Sequence, residues 1–197
     1  MLIFWDQRLV FLATPKAGSS AVESALESLA SVTMQRPAAL KHVSAAQYRT
    51  HLAPLLAGSA GAPFTTVALM REPLGWLRSW FRFRQRDDIE DPQHPMRGRS
   101  FEEFANDYMK NPRPPHADIG SQAAYLCGAD NAPMVDRIFR YENIDAFVHF
   151  LEDRLDCAIT LPRVNVPPAV DVKLSAATEA RLHVHMATDF ALYDQIA

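Results

Sequence analysis

Residues 15–20 of the chain, PKAGSS, combine a lysine, a glycine and two serines between an apolar stretch and an amphipathic one. Gly18 allows a ligand to approach the backbone closely, and Lys16 adds a full positive charge. A helix that begins at Ser20 would point its first N–H groups and the positive end of its dipole at the same loop. These features together predict a binding site for a phosphate or a sulfate.

Two secondary-structure elements must hold this loop. The apolar run at residues 9–12, bounded by Pro15, predicts a buried parallel strand. Ser20 and Glu23 have the spacing of a capping box, and apolar residues then recur at the helical period, which predicts an amphipathic helix. An ordinary strand-to-helix turn with a serine cap is the alternative. The segment differs from the GxxxxGK[ST] loop of nucleoside triphosphatases, because Lys16 precedes Gly18 by two positions.

A second segment, residues 64–86, repeats the order of strand, junction and helix. A β-branched run ends at Arg71, and Pro73 stands where a first helical residue is expected. In open parallel sheets, ligands bind beyond the carboxyl ends of the strands, so this arginine and PKAGSS should occupy one edge. We expect Arg71 and Ser79 to share one phosphate. The last three arginines of this segment, Arg82, Arg84 and Arg86, are interpreted as a solvated basic face.

These two segments resemble the sulfotransferases that use 3′-phosphoadenosine 5′-phosphosulfate (PAPS). PKAGSS and REPLGWLRSWF are similar to the two nucleotide motifs of that family. KHVSAAQYR resembles the KHxTAxE-type segment of bacterial members, GSQAAYL their PQxxYL, FRYENID their FxRFENL, and LPRVNVPP their LPHVN. The resemblance covers nearly the whole chain. The chain departs from the pattern at Arg163, at Gly120 and Ser121, and in VPPAVDVKL, so the acceptor is not predicted.

The resemblance implies PAPS as the donor, with no metal required. It implies that the first loop holds the 5′-phosphosulfate and that the arginine and serine of the second motif hold the 3′-phosphate. It also implies an α/β fold of the P-loop-like, three-layer type, with a central, mainly parallel sheet flanked by helices, in one domain over residues 1–197. The implied donor-binding residues are Pro15, Lys16, Ala17, Gly18, Ser19, Ser20, Arg71 and Ser79.

Two residues are candidates for the chemical step. Lys16 is expected to stabilise charge on the bridging oxygen during in-line sulfuryl transfer, by analogy with phosphoryl transfer. Related glycan sulfotransferases use a histidine or a glutamate as base, and His42 lies in the matching KHVSA segment. Alternatively, His42 only packs or orients the nucleotide, and a carboxylate such as Glu142 or Glu72 deprotonates the acceptor.

Composition narrows the function classes. The 197 residues are 48% hydrophobic, enough for a sizeable core, and the net charge of −3 does not favour nucleic-acid binding. No apolar run approaches a membrane span, and MLIFWDQR is too short for a signal peptide, so we expect a cytoplasmic protein. Cys127, Cys157 and the histidines have no metal-ligand spacing, and both thiols should be reduced. The acidic segment at residues 87–91 is a candidate acceptor-facing loop.

The rest of the chain alternates strands with helices, which predicts a parallel α/β sheet. A strand is expected at residues 137–141, a helix after Asn143, a capped helix after Ser100, and a last helix from Ser175 to about Tyr193. The favoured function is a PAPS-dependent sulfotransferase acting on a hydroxyl of a carbohydrate or a similar small molecule. A kinase-like phosphotransferase and a non-catalytic nucleotide-binding protein are the alternatives.

Overall fold

The computed structural model describes residues 1–85, 94–162 and 170–196, and the strands of these residues form one five-stranded sheet. The strand order is β3-β1-β2-β4-β5. The strands are β1 (Leu2–Phe4), β2 (Leu9–Leu12), β3 (Val32–Thr33), β4 (Thr65–Met70) and β5 (Arg137–Arg140). The predictions of β2, β4 and β5 are confirmed.

The sheet is mixed but mostly parallel. Strand β2 pairs in parallel with β4, Leu12 opposite Ala68, and β4 pairs in parallel with β5, Met70 opposite Arg140. Strand β1 is antiparallel to both of its neighbours. The sequence did not predict β1 or β3. Strand β1 is antiparallel because a tight turn joins it to β2, in which the N–H of Arg8 donates to the carbonyl of Trp5.

Helices flank the sheet on both faces. They are α1 (Ser19–Leu26), α2 (Ala38–Lys41), α3 (Ala45–Gln47), α4 (Ala53–Ala60), α5 (Pro73–Arg84), α6 (Phe101–Tyr108), α7 (Gln122–Leu126), α8 (Ile144–Leu155), α9 (Ala176–His185) and α10 (Ala187–Asp194). A π-helical segment, Tyr48–Leu52, joins α3 to α4, and a 3-10 turn, Tyr141–Asn143, joins β5 to α8.

Side chains alternate between the two faces of the sheet, as the strand period requires. Leu9 and Phe11 pack with α1 and α8 on one face, whereas Val10 and Leu12 pack with the segments around α3 and α7 on the other. Burial of both faces explains why β2 is a continuous apolar run. A further apolar cluster joins α5, α6 and α9.

Local signals set most of the helix boundaries. The capping box of Ser100 and Glu103 at α6 is confirmed, and so is the Ser175 cap of α9. The prediction of one final helix is wrong, because the backbone leaves helical geometry at Met186 and separates α9 from α10.

Cys127 and Cys157 are free thiols. Among the helices of the described residues, none has both the length and the apolar character needed to cross a membrane.

Candidate functional site

The PKAGSS loop begins directly after β2, at the carboxyl edge of the parallel strands. Lys16 and Gly18 both have left-handed backbone conformations, with φ of 62° and 82°. Gly18 is the N-cap of α1, and no side chain among the described residues caps this helix. The predicted capping box of Ser20 and Glu23 is therefore wrong, and α1 begins one residue earlier, at Ser19.

Glu23 has a different role from the one predicted. Its side chain is buried, and its carboxylate lies 2.6 Å from the Lys41 ammonium and 3.0 Å from the Met1 amino group. A carboxylate that forms these ion pairs faces the protein interior and cannot reach back to the N-cap. Glu23 thus connects α1 to the KHVSA segment instead of closing the N-terminus of its own helix.

Unpaired polar groups occur both at the first turn of α1 and directly before the PKAGSS loop. The first N–H groups of a helix have no intrahelical acceptor, and here no side-chain cap satisfies them. Thr14, directly before Pro15, is only 1% exposed, and its Oγ1 atom has no hydrogen-bond partner in the described part of the chain. Buried polar groups are almost always paired, so this loop has the donor groups of an anion site.

Arg71 follows β4 at the same edge. The Gln122 side chain holds its backbone on both sides: Oε1 accepts from the Arg71 N–H at 2.9 Å, and Nε2 donates to the Arg71 carbonyl at 2.8 Å. The guanidinium lies 4.8 Å from the centroid of the Tyr141 ring, and its buried Nε has no hydrogen-bond partner in the described residues. The half-buried Arg71 guanidinium is therefore fixed in position, and its Nε–H group can donate a hydrogen bond to a ligand.

Tyr141 connects the two junctions. It follows β5, and its ring lies so close to Gly18 that a Cβ built there would be 2.7 Å from Cε2. The same ring supports Arg71. The next residue, Glu142, accepts from the Glu72 N–H at 3.0 Å and from the Tyr193 hydroxyl at 2.8 Å. The ends of three parallel strands are therefore joined around one aromatic ring.

Helix α5 provides a second connection. Gly75, Ser79 and Phe83 are four residues apart and so form one row along the helix surface. A Cβ built on Gly75 would lie 3.4 Å from Arg71 Nε, and the Lys16 ammonium lies 4.0 Å from the Phe83 ring centroid. Ser79, which is half-buried, is the middle member of this row. Arg71 and Lys16 thus lie at opposite ends of a row centred on Ser79.

The position of Lys16 depends on aromatic residues of α5. Its ammonium also lies 5.8 Å from the Trp80 ring. The indole N–H of Trp76 donates to the Pro15 carbonyl at 2.9 Å, and the Trp76 side chain is fully buried. Helix α5 thus holds both the backbone and the lysine of the PKAGSS loop.

His42 contacts the backbone just before the PKAGSS loop. Its Nδ1 is 2.6 Å from the Ala13 carbonyl oxygen, which can only accept, so Nδ1 carries the proton and Nε2 has a free lone pair. Burial lowers the pKa of His42 below its usual value, outweighing the opposing effect of this hydrogen bond. The imidazole is consequently neutral near pH 7, as a general base must be.

The two alternative carboxylates have structural partners. Glu72 accepts from the N–H groups of Leu74 and Gly75, at 3.0 and 2.5 Å, and thereby caps α5. Glu142 joins Glu72 to Tyr193. Both carboxylates therefore accept hydrogen bonds from backbone N–H groups of the junction between β4 and α5.

The contributions of Gln122, Tyr141 and Trp76 were missed from the sequence. Gln122 and Tyr141 lie in GSQAAYL and FRYENID, so the motif matches identified their segments but not their contacts. Ser121, a point of departure from the family pattern, caps α7 by accepting from the Ala124 N–H. The acidic segment 87–91 and Arg163 lie outside the described residues.

A groove of about 450 Å³ lies elsewhere, and none of the predicted site residues lines it. Its lining residues are Met109, Ala180, Arg181, Val184 and His185.

The two histidines of α9 have different partners: His183 stacks on Phe190, and His185 contacts Arg113. Within residues 1–85, 94–162 and 170–196, no cluster of three histidine, cysteine or acidic side chains could hold a metal ion.

Comparisons of the chain with protein-family models, with curated proteins and with solved structures found no match.

Proposed function

We propose that the chain is a PAPS-dependent sulfotransferase that transfers a sulfuryl group to a hydroxyl of a carbohydrate or a similar small acceptor. The proposal includes a P-loop-like, three-layer fold with a single catalytic domain over residues 1–197. It combines the motif resemblance with one geometric observation: PKAGSS and Arg71 follow adjacent parallel strands and are joined through Tyr141.

The donor groups fit the two ends of PAPS. The 5′-phosphosulfate needs several backbone N–H donors, and the first turn of α1, which no described side chain caps, supplies donors of that kind. The Thr14 hydroxyl, directly before Pro15, is a further buried group without a hydrogen-bond partner in the described residues. The 3′-phosphate needs a cation that can donate hydrogen bonds, and the buried Nε of Arg71 has no partner among the described residues. Ser79, in the row between Arg71 and Lys16, adds a hydroxyl. The fit requires no metal ligand.

In this proposal Lys16 stabilises the transition state of sulfuryl transfer. PAPS supplies an activated sulfuryl group; the bond from sulfur to the acceptor oxygen forms as the bond to the phosphate oxygen breaks. The Lys16 ammonium, held beside Phe83 and Trp80, stabilises the negative charge that develops on that phosphate oxygen. The products are a sulfate ester and adenosine 3′,5′-bisphosphate.

His42 accepts the proton of the acceptor hydroxyl. Its Nδ1 donates to Ala13, so the proton goes to Nε2. Its lowered pKa keeps the ring unprotonated at neutral pH. Because Ala13 precedes the PKAGSS loop by two residues, this hydrogen bond ties the base to the donor site.

Calorimetric titration tests the proposal. The purified protein is titrated with adenosine 3′,5′-bisphosphate, with ATP and with AMP, all in the presence of EDTA. Micromolar binding of the bisphosphate, with AMP and ATP much weaker, is expected, because only the bisphosphate occupies both junctions. Absence of binding, or a preference for ATP once Mg²⁺ is added, would refute the proposal and favour a phosphotransferase.

A further inference from the structure

Arg71 lies one residue beyond the last register pair of β4, so no neighbouring strand holds its backbone. The Gln122 carboxamide takes the place of that strand. One oxygen accepts from the Arg71 N–H and one nitrogen donates to the Arg71 carbonyl, which is the pattern that a paired strand residue would make. Gln122 is 1% exposed, so water does not compete for either bond.

Gln122 is itself held firmly. It is the first residue of α7, where Ser121 Oγ accepts from the Ala124 N–H at 3.1 Å. The buried carboxylate of Asp189, in α10, accepts from the Ala123 N–H at 2.9 Å. The N-terminus of α7 is therefore fixed by its own cap and by the C-terminal helix, and the glutamine side chain extends from a rigid point.

We propose that Gln122 is the positioning residue for the 3′-phosphate site: it holds the Arg71 backbone so that the guanidinium faces the phosphate. This inference rests on the proposed function. Without the two hydrogen bonds, Arg71 would be held by its chain neighbours and by the contacts of its side chain with Tyr141 and with the first turn of α5. The loss should appear in recognition of the 3′-phosphate and not in binding of the remainder of the nucleotide.

The test compares two probes, adenosine 3′,5′-bisphosphate and adenosine 5′-monophosphate. Their affinity ratio isolates the contribution of the 3′-phosphate. Gln122→Met keeps the side-chain length but removes both hydrogen bonds, and we expect it to lower the ratio about tenfold while monophosphate affinity changes little. Ala124→Gly is the matched control, because it lowers the helix propensity of α7 at an exposed position and leaves the Ser121 cap, the Asp189 contact and the carboxamide in place; its ratio should equal that of the unaltered protein.

A double-substitution cycle makes the test specific. If Gln122 acts through Arg71, then Gln122→Met should lower the ratio no further in an Arg71→Ala background. Should Gln122→Met fail to fold, Gln122→Glu replaces it, since a carboxylate cannot donate to the Arg71 carbonyl and should lower the ratio similarly. An unchanged ratio, or equal losses for both probes, would overturn the inference. An unaltered protein that does not prefer the bisphosphate would refute the proposed function and this inference together.

Discussion

The helices that follow β2 and β4 begin at the same edge of the sheet, yet their first turns are arranged in opposite ways. Helix α1 starts after a glycine in the left-handed region, and no side chain in the described part of the protein caps it. Helix α5 starts with Pro73, and the Glu72 carboxylate closes its first turn. The first junction keeps its backbone donors open, whereas the second satisfies them and offers the Arg71 side chain instead.

The difference separates two ways of binding an anion. An open helix N-terminus binds through backbone N–H groups whose positions the fold determines. A junction with a capped helix and an arginine binds the anion through the guanidinium group, which a neighbouring residue must orient. Under the proposed function, the first way suits the 5′-phosphosulfate, beside Lys16, and the second suits the 3′-phosphate, which anchors the ligand.

The largest effect is expected for the rate when Lys16 is changed. Lys16→Met keeps an unbranched side chain of similar length but removes the charge that lies over the Phe83 ring. Conversion of PAPS to adenosine 3′,5′-bisphosphate should slow by about 10²- to 10³-fold, as when one oxyanion donor is removed, while bisphosphate affinity falls much less. Steady-state turnover and calorimetry measure the two quantities. Equal losses in both would contradict a catalytic role for Lys16.

The Arg71→Ala substitution should act on affinity instead. Removal of a charged partner of the 3′-phosphate should weaken bisphosphate binding by about 2 to 5 kcal/mol. AMP, which lacks that phosphate, should bind almost as before. Titration of both ligands checks the prediction, and a similar loss for AMP would show that Arg71 supports the fold more than the phosphate.

Gly18→Ala tests the contact between the loop and Tyr141. Any side chain at φ 82° is strained by about 1 to 2 kcal/mol, and here the new methyl would also meet the Tyr141 ring. Overpacking adds about 1 to 3 kcal/mol to the loss of unfolding free energy. Gly61→Ala is the control, because its φ is 69° but no atom lies within 4 Å of the added Cβ. Equal losses in denaturant titrations would argue against the packing at Gly18.

The two helix starts should differ in their response to cap removal. Glu72→Ala removes a carboxylate that accepts from two backbone N–H groups, so the free energy of unfolding should fall by about 0.5 to 2 kcal/mol. Ser20→Ala should leave it nearly unchanged, because Ser20 does not cap α1. Denaturant titration of the two variants compares their free energies of unfolding. A larger loss for Ser20→Ala than for Glu72→Ala would show that Ser20 caps α1.

The smallest effect concerns the pH dependence of stability. Burial lowers the pKa of His42 in the folded protein, so between that value and about 6.5 the unfolded chain binds more protons. Stability should therefore fall as the pH drops through this window. His42→Gln should reduce that dependence, as unfolding titrations between pH 5 and 7.5 would reveal. A variant with the same pH slope as the unaltered protein would contradict burial of a neutral imidazole.

The sequence predicted the elements that periodicity and junction residues encode. The apolar run of β2, Pro73 at the start of α5 and the capping box at Ser100 are local signals, and each is found in the structure. Strand β1 was missed because three residues next to the chain start carry no periodic signal. Glu23 was misassigned because capping-box spacing does not reveal that a buried ion pair with Lys41 competes for the same carboxylate.

The candidate site divides in the same way. Lys16, Gly18 and Arg71 were predicted from residue type and position relative to strands. The contacts of Gln122 and Tyr141 with these residues depend on segments more than fifty residues away along the chain. Spacing cannot encode such contacts, so a single sequence identifies the charged groups before the residues that orient them.

A crystal structure with adenosine 3′,5′-bisphosphate bound would show whether the two junctions bind the two phosphates. We expect the 5′-phosphate at the N–H groups of residues 18–20 and the 3′-phosphate at Arg71, with Tyr141 between the junctions. A bisphosphate bound in the groove beside α9, or with its two phosphates exchanged, would contradict this expectation.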